Sequence, residues 1–203
     1  MIVVPKADPG FADHPCHGEL AQHRFLRAVL PHVKQWRMAV DVGAHIGLWT
    51  RMLALKFSRV TAFEPVAENF ACLQQNVTRK NVVLENVALG AAPGLCAMAL
   101  PPDGNSGCWR VEPDGFEIEL KTLDSYGLNE VDLIKVDVEG FEGEVLQGAK
   151  ETLQRWHPIV VLEENGLGYK FYGGRWFDPG PNLIGLRYRH VGTHAKNEVW
   201  VPY

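Results

Sequence analysis

Six acidic residues and one glycine turn stand where this sequence could do chemistry. Asp41 interrupts the short apolar run Met38–Val42, and Gly43-Ala44-His45-Ile46-Gly47 follows at once. Glu64-Pro65 comes 21 residues past Gly43, ending a second apolar run, Val60-Thr61-Ala62-Phe63. Leu133-Ile134-Lys135-Val136 leads into Asp137-Val138-Glu139, and Ile159-Val160-Val161-Leu162 leads into Glu163-Glu164-Asn165. Strand, tight glycine turn and helix form the arrangement by which an α/β protein holds a nucleotide-like ligand at the carboxyl end of its first strand. A carboxylate in the place of Glu64 accepts hydrogen bonds from both hydroxyls of a ribose. An exposed strand-end glutamate is the plainer alternative, and the spacing favours the ribose.

The turn differs from a dinucleotide fingerprint, whose second glycine lets the backbone approach a pyrophosphate. His45 is bulky where that phosphate would need room. A ligand whose nearest group is an amino acid or thioether, such as S-adenosylmethionine, suits the turn better. Methyl transfer from that ligand is an in-line displacement, which needs an aligned acceptor and, where the acceptor carries a proton, a base to take it. Asp137, Glu139, Glu163 and His45 are the candidate bases. Asp137 with Glu163, Glu164 and Asn165 also offers oxygen ligands on adjacent strand tips, a place comparable to that in which some catechol-type methyltransferases carry a magnesium that lowers the acceptor's pKa. Glu142 is better explained as an acid at the start of a helix. Asp41, inside an apolar run, needs a partner if buried.

The elements that must position these residues follow from periodicity. Residues 1–17 are punctuated by Pro5, Pro9, Gly10 and Pro15, and residues 19–33 have helical spacing that Pro31 weakens. Strand 1 is 38–42, a helix covers 46–57, strand 2 is 60–63, a helix covers 67–77, and strand 3 is 82–89. This βαβαβ order implies a parallel sheet with right-handed crossovers. Between Gly94 and Leu120, short β-like pieces separated by Pro101-Pro102-Asp103-Gly104 and Pro113-Asp114-Gly115 predict a small antiparallel excursion at the sheet edge. Strand 4 is 131–138, a helix covers 143–156, and strand 5 is 159–162. Strands at 183–191 and 198–203 are too close in sequence for a parallel crossover, so they must pair antiparallel.

The fold class is therefore α/β: a Rossmann-like, seven-stranded, mostly parallel sheet with an antiparallel last strand, helices on both faces and a β excursion after strand 3. One domain over 1–203 is expected, with an N-terminal segment and helix (1–37), a cofactor-binding core (38–165), and a lid-like crossover with the final strand pair (166–203). Residues 8–23 and 166–182 would flank the acceptor, with Tyr169, Phe171, Tyr172, Trp176 and Phe177 either stacking on it or forming a lid core.

Composition narrows the partners. The 203 residues are 46% hydrophobic and carry a formal charge of −4, which disfavours a nucleic-acid substrate. No apolar run approaches the ~20 residues that span a bilayer, and the first residues lack the apolar core of a signal peptide. A cytoplasmic protein is expected. Its four cysteines, Cys16, Cys72, Cys96 and Cys108, form no CxxC pair, so thiols are expected over disulfides. Asp13-His14-Pro15-Cys16-His17 carries metal-capable side chains, but no second cluster completes a zinc site, so it is read as a polar loop.

The ordered blocks Ala39–Gly47, Phe63-Glu64-Pro65, Asn86–Gly90, Leu133–Glu142 with Val145–Ala149, and Val161-Leu162-Glu163 resemble the FkbM-type S-adenosylmethionine-dependent methyltransferases. The Asp-Val-Glu-Gly-Phe-Glu block, Asp137–Glu142, is the most specific of them. The resemblance implies that Asp41, Gly43, Ala44, His45 and Gly47 hold the methionine moiety, with Asp41 near its ammonium. It implies that Glu64, beside Pro65, takes the ribose, and that Asn86, Val87 and Ala88 border the adenine. Asp137 would lie nearest the transferred methyl, with Glu139 just past it. The expected activity is O-methylation of a small-molecule or glycan hydroxyl. The alternatives are an NAD-dependent oxidoreductase, disfavoured by His45 and by the antiparallel ending, and a non-catalytic adenosine-ligand binding module, which would keep Glu64 yet tolerate loss of Asp137 and Glu139. Nothing in the residues names the acceptor.

Overall fold

The computed structural model describes residues 2–5, 26–100, 104–163, 183–194 and 197–203. The expected polar cluster at 13–17, the flanking loops 8–23 and 166–182, and Glu164 and Asn165 lie outside them. The chain runs through β1 (Met38–Val42), α1 (Leu48–Leu53), β2 (Arg59–Phe63), α2 (Ala67–Asn76) and β3 (Val82–Glu85). It continues with β4 (Ala88–Leu89), β5 (Gly94–Ala99), β6 (Arg110–Val111) and β7 (Phe116–Lys121). Then come β8 (Val131–Val136), α3 (Glu142–Gln147), α4 (Lys150–Trp156), β9 (Ile159–Glu163), β10 (Tyr188–His194) and β11 (Asn197–Pro202).

Seven strands form the main sheet, in the order β10-β11-β9-β8-β1-β2-β3. β1, β2, β3, β8 and β9 pair parallel, and β11 pairs antiparallel with both β9 and β10. Alternate residues feed two apolar layers, as a sheet covered on both faces requires. Val40, Val42, Ile134, Val136, Val160 and Leu162 pack with Val145, Leu146 and Leu153 of α3 and α4. Ala39, Leu133, Ile159 and Val161 point the other way, onto Trp49, Met52 and Leu53 of α1 and onto Leu26 and Val29.

Several boundaries differ from the periodicity. The first helix starts at Leu48 and not Ile46, because Gly47 takes a left-handed conformation with φ +92° and only glycine does this freely. The expected strand 82–89 is two strands: β3 ends at Glu85, and β4 pairs with β7 in a different sheet. The expected helix 143–156 breaks between α3 and α4. A Cβ on Gly148 would lie 2.0 Å from the Gly90 carbonyl oxygen, so the break admits a close backbone crossing. Asp124 then caps α4, its carboxylate accepting from Glu151 N and Thr152 N, both at 2.9 Å. Residues 183–185 are helical, and the strand begins at Tyr188 instead of 183. The expected helix over 19–33 is described only from residue 26, as a helical turn followed by a 3-10 turn at Leu30–His32.

The excursion is larger than expected. β4, β7, β5 and β6 make a four-stranded sheet of their own, and it is not an extension of the main sheet's edge.

Candidate cofactor and active site

A cleft of about 250 Å³ opens at the carboxyl ends of β1, β2, β8 and β9, where α/β sheets place their ligands. Its floor begins with the glycine turn. Gly43 has φ +76°, and a Cβ there would lie 1.8 Å from the main-chain oxygen of Asp137. No other residue type fits between the tips of β1 and β8. The Gly43 and Ala44 N–H groups both donate to the Phe63 carbonyl at 3.0 Å, which ties the turn to β2. Gly47 lies behind the turn, its N–H donating to the Ala44 carbonyl at 2.9 Å.

Glu64 is 4% exposed and lines the cleft. Its Oε2 accepts from the His45 N–H at 2.8 Å, and its Oε1 accepts from the Val66 N–H at 2.9 Å. A carboxylate has about four acceptor positions, so Oε2 keeps capacity for a hydroxyl. Burial raises the Glu64 carboxyl to about 7, against the backbone donors that favour the ion. Asn86 stands outside the cleft lining and donates to the Glu64 and Pro65 carbonyls at 2.8 and 3.0 Å. It braces the exit of β2. Val87 and Ala88 line a small apolar slot with Phe63 and Phe141. The slot and the main cleft share Gly43, Pro65, Met98 and Val138.

Carboxylates gather at the other end. One ligand oxygen each from Asp137, Glu139 and Glu163 lies within 4.8 Å of the others. Among them runs Lys135, with Nζ 3.2 Å from Asp137 Oδ2 and 3.4 Å from Asp41 Oδ1. Burial alone would raise Asp137, but the Lys135 ammonium and a hydrogen bond from Glu163 outweigh it and hold Asp137 below the usual carboxylate range. Glu163 goes the other way, pushed up to about 9 by burial and by the charge of Asp137. At neutral pH the pair therefore holds one proton, on the Glu163 side. Asp41 is fully buried and is not part of the cleft lining; Thr50 Oγ1 donates to its Oδ2 at 2.6 Å. Burial raises its carboxyl, and Lys135 offsets part of the rise. Glu142 is buried and accepts from the Val138 and Gly140 N–H groups at 3.0 and 3.2 Å. It pins the loop that carries Glu139, which has φ +55°.

The cleft has a second wall that sequence reasoning missed. The separate sheet and its 3-10 turn Ser106–Cys108 contribute Met98, Ser106, Gly107 and Trp109. His45 Nε2 lies 2.7 Å from Ser106 Oγ, and Asn69 Nδ2 donates to the Ser106 carbonyl at 3.0 Å. His45 thus faces the roof of the cleft, and its own φ is +52°. Asn69, on α2, also reaches Glu64 at 3.4 Å. Lys135 was missed too, although a charge inside the apolar run Leu133–Val136 signals it; nothing local marks Ser106 or Trp109.

The methyltransferase FkbM domain family matches residues 41–177. Hexuronic acid methyltransferase AglP of Haloferax volcanii is 29% identical over 153 residues, covering 71% of this chain and 63% of that protein. Methyltransferase 1 of Beauveria bassiana is 28% identical over 158 residues, covering 61% of this chain and 63% of that protein. The chain thus spans under two thirds of the length of these relatives. Methyltransferase FkbM from Methylobacillus flagellatus superposes with a TM-score of 0.59 at 18% identity, covering 81% of this chain and 43% of that one. A precorrin-8W decarboxylase from Methanobacterium thermoautotrophicum gives 0.53 at 15% identity, covering 99% and 100%. The two structures share the fold. Sheet order, glycine turn and the matched residues agree: the chain belongs to the methyltransferase FkbM domain family.

Proposed function

We propose that this chain is an S-adenosylmethionine-dependent methyltransferase that modifies a hydroxyl of a small molecule or glycan. The observation that carries the reading is one cleft lined by the glycine turn, by Glu64 and by Asp137, each at the tip of a neighbouring strand. The residues fit the cofactor. Oε2 of Glu64 has capacity for a ribose hydroxyl, and the slot beside Val87 and Ala88 is apolar enough for a purine. Ala44 and His45, with Gly43 between two strand tips, border the room left for an amino-acid end. Asp41 backs the turn, and Asn86 and Pro65 shape the ribose side.

When bound, S-adenosylmethionine supplies an electrophilic methyl group on its sulfonium. The chain's own residues do the rest. Asp137, held ionised by Lys135, receives the acceptor proton, while Glu163 keeps its own proton and hydrogen-bonds Asp137. Glu139 and His45, both lining the cleft, orient the acceptor. Lys135 already supplies positive charge among these carboxylates, so magnesium is not part of the proposal. The hexuronic acid methyltransferase among the relatives supports a sugar-like acceptor. Cys72, Cys96 and Cys108, none of them in a disulfide, suit a cytoplasmic setting, and no described helix is long and apolar enough to cross a membrane.

Calorimetry with S-adenosylhomocysteine and with NAD separates the candidate cofactors. Saturable binding of S-adenosylhomocysteine without binding of NAD is expected, and NAD binding alone would overturn the reading.

A further inference from the structure

Lys135 occupies a position where an apolar residue would be expected. It lies within β8 between Ile134 and Val136, both 0% exposed, and is itself 2% exposed. An ammonium removed from water this far persists only when its donors are met. Its ammonium has three N–H donors; it donates to the Gly43 carbonyl at 3.0 Å and forms ion pairs with Asp137 Oδ2 at 3.2 Å and Asp41 Oδ1 at 3.4 Å. The pairing of β1 with β8 sets Asp41 opposite Lys135. Asp137, two residues on, returns to the same face because strand side chains alternate.

Charge neutralisation is served by the buried Asp41 and the half-buried Asp137 alone. The third donor goes to an uncharged carbonyl of the glycine turn, which neutralisation does not require. That carbonyl belongs to the peptide whose N–H is Ala44's, one residue before the His45 N–H that reaches Glu64. Lys135 therefore touches the cofactor turn and the carboxylate nearest the reaction through one buried ammonium.

We propose that Lys135 is a positioning residue, which sets the Gly43–His45 turn and the Asp137 carboxylate in a common register, so that cofactor binding and proton acceptance share one support. The proposal deepens the methyltransferase reading and rests on it for its ligand. A compact ammonium suits the task, whereas a planar guanidinium spreads its donors over a fork.

The test uses three variants with two readouts: the affinity for S-adenosylhomocysteine, and the amide chemical shifts of Gly43, Ala44 and His45 in the free protein. Lys135→Met leaves Asp41 and Asp137 facing each other and is expected to melt early. Lys135→Met/Asp41→Asn removes the charges of the Lys135–Asp41 ion pair together and is expected to keep the fold. Lys135→Arg keeps the charge and is a second folded variant. The expected result in both folded variants is an affinity weakened by about tenfold or more, the size of a lost charged hydrogen bond, with the three amides displaced and β2 and β9 unmoved. Wild-type affinity and unmoved amides in Lys135→Met/Asp41→Asn would show that Lys135 only neutralises Asp41, and would overturn the proposal. If the wild type itself does not bind S-adenosylhomocysteine, the methyltransferase reading fails, and the amide shifts alone decide the role of Lys135.

Discussion

Glu64 receives the main-chain N–H of His45 at 2.8 Å, while the ring of the same histidine reaches Ser106 Oγ at 2.7 Å. One residue thus joins the tip of β2, the glycine turn and the roof contributed by the second sheet. His45, an irregularity when compared with a dinucleotide turn, is the link between the floor and the roof of the cleft.

That link is measurable as a coupling. His45→Ala and Ser106→Ala should each weaken S-adenosylhomocysteine binding. In a double-mutant cycle the two losses should fall short of additivity by about 1 kcal/mol, the usual size of one net hydrogen bond. Additive losses in calorimetry would mean that the roof and the turn act independently.

At pH 8, above the Glu64 carboxyl's raised value of about 7, Glu64→Gln replaces a charged acceptor with an amide that keeps only one acceptor oxygen for two backbone donors and a ribose. The expected loss of S-adenosylhomocysteine affinity is roughly 10- to 100-fold, following the ~1.5–3 kcal/mol of a hydrogen bond to a charged group. Unchanged affinity in the same titration would remove Glu64 from the cofactor site.

Gly43→Ala combines φ +76° with a Cβ placed 1.8 Å from the Asp137 carbonyl oxygen. Thermal unfolding should report a loss of about 2 kcal/mol or more, since both backbone strain and a backbone clash must be relieved. Gly94→Ala is the control, with nothing within 4 Å of the added carbon. Equal melting temperatures for the two variants would contradict the packing of the strand tips.

Much of this architecture is legible in the sequence, because the strands of a two-sided sheet are apolar runs and the glycine turn is a local signal. Asp41 and Lys135 are each visible as a charge in an apolar run. That they meet depends on the register between β1 and β8, which is set across more than ninety residues and leaves no local mark. The same holds for Ser106, placed in the cleft by pairing among β4, β5, β6 and β7. Helix boundaries at Gly47 and Gly148 were missed because tertiary contact, not periodicity, decides them. The aromatic segment 169–177 lies outside the described residues.

Glu142 supplies a pH signature separate from binding. Burial raises its carboxyl from 4.5 to about 7, so between those values the folded chain holds a proton that the unfolded chain releases. Its contribution to stability is therefore full below about pH 4.5 and is lost as pH rises toward 7. Glu142→Gln should remove this component. Urea unfolding should show wild type losing on the order of 1–3 kcal/mol relative to the variant between pH 5 and pH 8, at up to ~1.4 kcal/mol per pH unit. A variant whose pH dependence parallels wild type would show that Glu142 titrates normally.

The central claim is methyl transfer with Asp137 as proton acceptor, and it is tested most directly with S-adenosylmethionine labelled in the methyl group. Wild type and Asp137→Asn would be incubated in parallel with neutral sugars, uronic acids, phenols and alcohols. The predicted result is label on the hydroxyl of one acceptor class with wild type, and a rate lowered by about 100-fold or more with Asp137→Asn, the usual scale of a lost general base, while S-adenosylhomocysteine still binds. Label transferred at the same rate by both proteins, or onto none of these acceptors by either, would contradict it.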